Sequence, residues 1–183
     1  MIEVEAKAKI DDFNETRDKI KNLGAKLTKI EHQEDLYFNS PTVDFAKTDE
    51  ALRIRETSTD TEHNLFITYK GPKIDKKSKT REEIEMEIED KDKCRRIFKH
   101  LGFIEAREVI KDREIFKYKN YELSLDHVKG LGPYMEIEIL VKDGTDYNDA
   151  QNGLFDLFNK LGINDGFERT SYLELLENKN TKD

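Results

Sequence analysis

From Ile2 to Ile10 the chain alternates without a break. Ile2, Val4, Ala6, Ala8 and Ile10 fall on one face, and Glu3, Glu5, Lys7 and Lys9 fall on the other. A period of two describes a strand with one apolar side. Asp11-Asp12 then offers an N-cap, and Phe13, Ile20 and Leu23 are spaced for a helix that stops at Gly24. Extended structure is predicted over 25–39, with a turn at Ser40-Pro41. Further strands are predicted over 51–57, 64–70, 80–89, 103–117, 121–128 and 134–141, and helices over 92–101, 147–161 and 170–177. The stretch from Gly71 to Lys79 combines Gly, Pro and four lysines and reads as a mobile loop. Residues 1–177 form one domain in this reading, followed by a frayed tail over 178–183.

A repeat runs through the pattern. Ile2-Glu3-Val4-Glu5 leads into a helix ending at Leu23-Gly24, Ile84-Glu85-Met86-Glu87 into one ending at Leu101-Gly102, and Met135-Glu136-Ile137-Glu138 into one ending at Leu161-Gly162. One such pair could be a coincidence of ordinary β-to-α sequence. Three occurrences point to an architecture that repeats a strand and a covering helix.

The polar faces of the strands carry charge rather than Ser or Thr. Arg53 and Arg55 alternate with Leu52 and Ile54, and Lys111 and Arg113 share a face. Glu122, Ser124 and Asp126 oppose Leu123 and Leu125, and Glu136 and Glu138 oppose Ile137 and Ile139. An open sheet with its charges in water satisfies any one strand. Eight or so strands with few edge-protecting devices favour closure instead, with helices seated outside and charges lining a lumen. The expected fold is therefore α+β, a closed eight-stranded antiparallel β-barrel with helices packed outside.

A lumen of one sign would repel itself. Two like charges ~4 Å apart cost ~4 kcal/mol at an effective dielectric near 20. Here acids and bases each come in i, i+2 pairs. Such a set suits a ligand needing both partners: a polyphosphate held by Arg and Lys, bridged to carboxylates by Mg²⁺ or Mn²⁺.

Composition narrows the field further. Charged residues make up 39% of the 183, yet apolar residues supply 36% in periodic positions, so a folded protein is expected. A net charge of −8 gives no global attraction for nucleic acid or an anionic membrane. Cys94 is the sole cysteine, which excludes intramolecular disulfides and cysteine-based zinc sites. The first residues are charged from Glu3 onward, unlike a secretory signal, and no apolar run reaches the ~20 residues of a membrane span. The cytoplasm is the expected compartment.

Five stretches, in order, resemble one known family. They are Glu3-Val4-Glu5-Ala6-Lys7, Leu52-Arg53-Ile54-Arg55, Phe66-Ile67-Thr68-Tyr69-Lys70-Gly71-Pro72, Thr80-Arg81-Glu82-Glu83-Ile84-Glu85, and the run from Asp126 to Glu138 with Gly130-Leu131-Gly132 at its centre. Together they are similar to the E-x-E-x-K, L-R-x-R, tunnel-lysine, R-E-E and D-x-V-x-G-L-G-x-F/Y-x-E-I-E motifs of the CYTH superfamily, the triphosphate tunnel metalloenzymes. The likeness covers residues 1 to 177.

The resemblance implies an eight-stranded tunnel. It implies that Glu3, Glu5, Asp126, Glu136 and Glu138 serve divalent metal, and that Lys7, Arg53, Arg55, Lys70, Lys111 and Arg113 hold a triphosphate. Arg81 joins the tunnel, expected as a charge-balancing pair with Glu85, and turnover is expected to depend on Glu3, Glu5, Lys7 and Glu136. The superfamily includes class IV adenylyl cyclases and triphosphatases acting on thiamine triphosphate or inorganic triphosphate. Similarity to the cyclase branch is clearest at Tyr69-Lys70-Gly71-Pro72, 78–83 and Arg169-Thr170-Ser171-Tyr172-Leu173-Glu174, and that branch makes a homodimer plausible. The triphosphatases often carry a further late lysine, for which only Lys142 and Arg169 offer themselves. A third reading, a non-catalytic nucleotide or polyphosphate sensor, leaves five carboxylates facing an anion without a purpose.

Other residues invite blander readings. His127 has the opposite parity to Asp126 and should face away from the lumen. His32, His63 and His100 are scattered, and Cys94 reads as filler on a helix. Lys73, Lys76, Lys77 and Lys79 read as solvated, with steering of an anionic substrate as the functional alternative. Tyr37, Phe38, Phe116 and Tyr118 read as packing residues, one of which could stack a base or thiazole ring.

Overall fold

The computed structural model describes residues 2–74, 80–142 and 146–180. Its elements follow in the order β1 (Ile2–Lys9), α1 (Phe13–Asn22), β2 (Lys26–Asn39), α2 (Phe45–Thr48), β3 (Ala51–Ser58), β4 (His63–Lys70), β5 (Arg81–Glu87), α3 (Lys91–His100), β6 (Ile104–Tyr118), β7 (Tyr121–Val128), β8 (Gly132–Val141), α4 (Asn148–Lys160) and α5 (Tyr172–Asn180). The strands close into an antiparallel barrel in the order β1-β5-β4-β3-β2-β6-β7-β8, with β8 pairing back onto β1. The seam between β1 and β5 is short, carried by Ile2↔Glu82 and Glu3↔Arg81.

Closure follows from the alternation. On β1, β7 and β8 the aliphatic positions Val4, Ala6, Ala8, Leu123, Leu125, Met135 and Ile137 point outward and are buried under Leu154, Leu157 and Phe158 of α4, with Ile20 of α1 in the same core. A second cluster, Leu36, Phe38, Leu52 and Ile54, is covered by Phe98 of α3, whose ring meets Phe38 edge-on at 5.0 Å.

The three repeated Leu-Gly steps are three copies of one helix stop. Ala25, Phe103 and Ile163 each donate N–H to the carbonyl five residues back, at Ile20, Phe98 and Phe158. The preceding glycines, Gly24, Gly102 and Gly162, sit at φ of 92, 88 and 78°. This is the Schellman arrangement, in which a left-handed residue returns the chain toward the sheet and the flanking apolar pair meets.

Helix α5 differs from α1, α3 and α4. Its Tyr172 and Leu176 cluster with Val109, Val128 and Tyr134, which share the inward parity of Lys111, Asp126 and Glu136. It therefore lies across one end of the barrel. It also continues through Asn180, so residues 178–180 are helical where a frayed tail is expected; residues 181–183 lie outside those described. Helix α2, a single turn, has no sequence period to announce it, and residues 75–79 of the lysine-rich segment lie outside the described residues. Among the described residues no helix is long and apolar enough to cross a membrane.

Candidate functional site

The barrel encloses a cavity of about 330 Å³ whose walls divide by charge. Glu3 and Glu5 of β1, Glu136 and Glu138 of β8 and Glu122 of β7 form an all-carboxylate side, while Arg53, Arg55, Lys70, Arg81, Lys111 and Arg113, from β3 to β6, lie on the other with Glu31, Asp35, Glu83 and Glu85 interleaved among them. The strand order explains the division. Strands β7, β8 and β1 are consecutive around the barrel, and so are β5, β4 and β3.

On the acidic wall Glu5, Glu138 and Glu122 stand in one cross-strand row. Like charges directly opposite one another on a sheet repel. Burial, then the charges of Glu3, Glu5 and Glu122, push Glu138 up to about 8. Burial also raises Glu3, against the pull of Lys70. Among the described residues no three His, Cys, Asp or Glu side chains are gathered as a finished metal cage. The donor set is nevertheless all carboxylate oxygen, the ligand type that hard divalent cations take.

The basic wall is organised by buried acids. Asp35 of β2 accepts a two-pronged bond from Arg55 (Nε 2.6 Å, Nη2 2.7 Å) and a longer one from Arg53 at 3.5 Å. Burial alone would raise Asp35, but Arg55 and Arg53 outweigh it and hold the carboxyl well below the usual range. Lys70 pairs with Glu83 at 2.6 Å and reaches Glu3 at 3.4 Å. Burial, with Arg113 beside it, brings Lys111 down to about 8 although Asp126 and Glu136 oppose the shift. The Nε of Arg53 is buried without a protein partner while its side chain lines the cavity, a donor facing a place for an anion.

Two expected site residues stand behind the wall. Lys7 has no exposure; its Nζ donates to the Thr170 carbonyl at 2.6 Å and lies 4.0 Å from the Tyr172 ring centre. Asp126, also unexposed, accepts from Lys111 Nζ (3.1 Å), Arg113 Nε (2.6 Å) and Nη2 (2.5 Å), and Tyr172 Oη (2.9 Å). Three of these bonds fall on Oδ2 and one on Oδ1, so Asp126 holds Lys111 and Arg113 in position from behind the wall. Arg81 and Glu85 share the wall but do not face each other. Arg81 donates to the Gly71 carbonyl at 3.4 Å, and Glu85 accepts from Thr68 at 2.8 Å.

Other placements follow from parity. His127 is exposed, Phe38 and Phe116 are core, and Tyr118 packs partly buried on the core. Cys94 is half-buried against the second cluster, where burial raises its thiol. Tyr37 packs against the cluster under α5 and also lines the cavity, as does Lys73, whose side chain pairs with Asp49. Lys142 and Arg169 are exposed and outside the cavity lining. Glu31, Gln33 and Asp35 were not anticipated, because His32 and Glu34 make the outer face of β2 polar too and no apolar face marks the inner one. Tyr172 lies on a helix, where alternation says nothing.

Comparison with known proteins agrees with this geometry. The model of the CYTH domain matches residues 1–172. A curated Methanocaldococcus jannaschii protein named "Putative adenylate cyclase" is 51% identical over 96% of this chain and 98% of its own. "Adenylate cyclase CyaB" of Aeromonas hydrophila is 28% identical over 96% of this chain and 88% of that one. The solved structure of the PH1819 protein from Pyrococcus horikoshii OT3 superposes with a TM-score of 0.90 at 45% identity, covering 97% of this chain and 99% of that one.

Proposed function

From the premise that the chain belongs to the CYTH domain family, we propose that it is a divalent-metal-dependent enzyme that converts ATP to cyclic AMP and pyrophosphate. The observation that carries this reading is a single cavity in the barrel that sets a row of carboxylates across from six Arg and Lys side chains. A triphosphate bound as a metal complex needs both at once. The names of the Methanocaldococcus and Aeromonas relatives support the cyclase form.

In this reading Arg53, Arg55, Lys70, Arg81, Lys111 and Arg113 bind the phosphates and neutralise charge growing on the pyrophosphate leaving group. Glu3, Glu5, Glu136 and Glu138 hold the ion, whose chemistry when bound is to polarise a phosphoryl oxygen as a Lewis acid. Asp126 and Asp35 position the cations, and Lys7 anchors the segment before α5. The ribose 3′-hydroxyl attacks the α-phosphorus, the bond to the bridging oxygen of pyrophosphate breaks, and the hydroxyl proton is released. A cytoplasmic location suits this substrate.

Hydrolysis of a triphosphate by the same cavity is the second reading, since binding of the triphosphate is common to both reactions. The exposed positions of Lys142 and Arg169 leave it without the late tunnel lysine that many triphosphatases carry. Incubating purified protein with ATP, thiamine triphosphate and inorganic triphosphate, each with Mg²⁺ or Mn²⁺, decides between them. Cyclic AMP with pyrophosphate is expected. Orthophosphate alone would overturn the cyclase form, and no turnover of any triphosphate would overturn the enzyme reading.

A further inference from the structure

Gln33 of β2 and Thr57 of β3 stand directly opposite one another. Gln33 lines the cavity and is 2% exposed; Thr57 is 4% exposed and shares the inward parity of Arg53 and Arg55. The amide of Gln33 has a defined orientation. Its Nε2 donates to a Glu31 carboxylate oxygen, and the opposite flip would set carbonyl oxygen against carboxylate. Glu31 is itself held by Lys29 at 2.9 Å. That leaves Gln33 Oε1 buried with no protein partner, and Thr57 Oγ1 is in the same condition. Buried polar atoms of this kind are rare in native proteins and ask for an occupant.

The occupant is not a phosphate. Ionised phosphate oxygens only accept hydrogen bonds, and Gln33 Oε1 also only accepts. Gln33 Oε1 needs a donor, while Thr57 Oγ1 can donate or accept, and an O–H that donates to the first and accepts from the second suits the pair. We propose that Gln33 and Thr57 form a hydroxyl subsite beside the triphosphate cavity, and that the hydroxyl belongs to the organic part of the substrate. This deepens the triphosphate reading and rests on it: the preferred substrate is a hydroxyl-bearing organic triphosphate, such as a nucleoside triphosphate, rather than inorganic triphosphate. An ordered water would have the same chemistry, so the test must separate the two.

Calorimetric affinities of the whole protein, with Mg²⁺, for ATP, 2′-deoxy-ATP, 3′-deoxy-ATP and inorganic triphosphate provide that test, measured on wild type, Thr57→Val and Gln33→Met. Wild type is expected to bind one deoxy analogue roughly 5- to 10-fold more weakly than ATP, the size of one neutral hydrogen bond. Each variant should bind ATP only as well as that analogue, while affinity for inorganic triphosphate shifts less than about twofold. Thermal melts identify a variant that fails to fold, and the other then carries the comparison. Equal losses for ATP and inorganic triphosphate would assign the pair to a structural water and overturn the proposal. Indifference of wild type to both deoxy analogues would overturn it as well. Wild type binding no triphosphate at all would sink the underlying site reading, a result distinguishable from either.

Discussion

Tyr172 Oη donates to Asp126 Oδ2 at 2.9 Å, joining the first residue of the last helix to the middle of the barrel wall. Asp126 in turn holds Lys111 and Arg113, so the C-terminal helix is wired to the groups that would grip phosphate. The Tyr172 ring also lies under the ammonium of Lys7, and a desolvated cation over an aromatic face is attracted to it. Tyr172→Phe keeps the ring and removes only the hydroxyl. Stability is expected to fall by roughly 1–2 kcal/mol, the range for a hydrogen bond to a charged group, with KM for the triphosphate raised and the helical signal retained. Urea unfolding and steady-state kinetics check this; an unchanged KM would confine Tyr172 to packing.

Arg55→Ala removes a cation from the cavity and strips Asp35 of its two-pronged partner. Leaving a buried carboxylate poorly paired costs about 3 kcal/mol. KM should rise, kcat should fall, and the midpoint of denaturation should drop. Replacing both Asp35 and Arg55 by Leu should recover much of the stability and none of the activity, which separates the two roles of the pair.

The acid side of the stability profile should carry the signature of Asp35. Its folded pKa is held far below the ordinary value of about 3.9. Between those two values the unfolded state binds more protons, so stability rises with pH there. The contribution is full above about pH 4 and is lost as pH falls toward the folded value. Urea unfolding at several pH values below 5 should show this slope, and Asp35→Asn should flatten it while lowering stability at pH 7.

Glu5, Glu138 and Glu122 repel one another across three strands. A bound divalent cation should relieve that repulsion and raise the melting temperature by mass action, independently of any turnover. Millimolar Mg²⁺ or Mn²⁺ is expected to stabilise wild type and to have little effect on Glu3→Gln/Glu5→Gln. A chelator should abolish turnover reversibly. A melting temperature indifferent to both metals would remove the ion from this wall.

Glu136→Ala should lower stability by removing a buried partner of Arg113, yet leave the barrel folded, because Asp126 still holds Arg113 and the neighbours Met135 and Ile137 supply the core contacts. A fall in kcat of about 10² or more is expected, the scale for losing one electrostatic contact to a transition state. Circular dichroism and kinetics on the same preparation check both halves.

Much of this was legible in the chain. Alternation in 2–10, 122–126 and 135–139 assigns each side chain a face from its neighbours alone, so the inward direction of Glu3, Glu5, Glu136 and Glu138 needs no partner strand to be known. The three Leu-Gly stops are equally local, because a left-handed glycine and its flanking apolar pair lie within six residues.

Whatever depends on residues far apart in the chain was decided by the fold. Closure brings β8 against β1 and puts Glu5, Glu138 and Glu122 in one row; parity gives a face but no neighbour. Asp126 bears the sequence mark of a metal-site carboxylate, and only the fold shows that Lys111, Arg113 and Tyr172 all meet on it. Gln33 and Asp35 lie on a strand with polar residues on both faces, and only the wrap of β2 between β3 and β6 says which side is inside. Periodicity is a property of adjacent residues, whereas a site is made by strands and a helix that meet across the whole length of the chain.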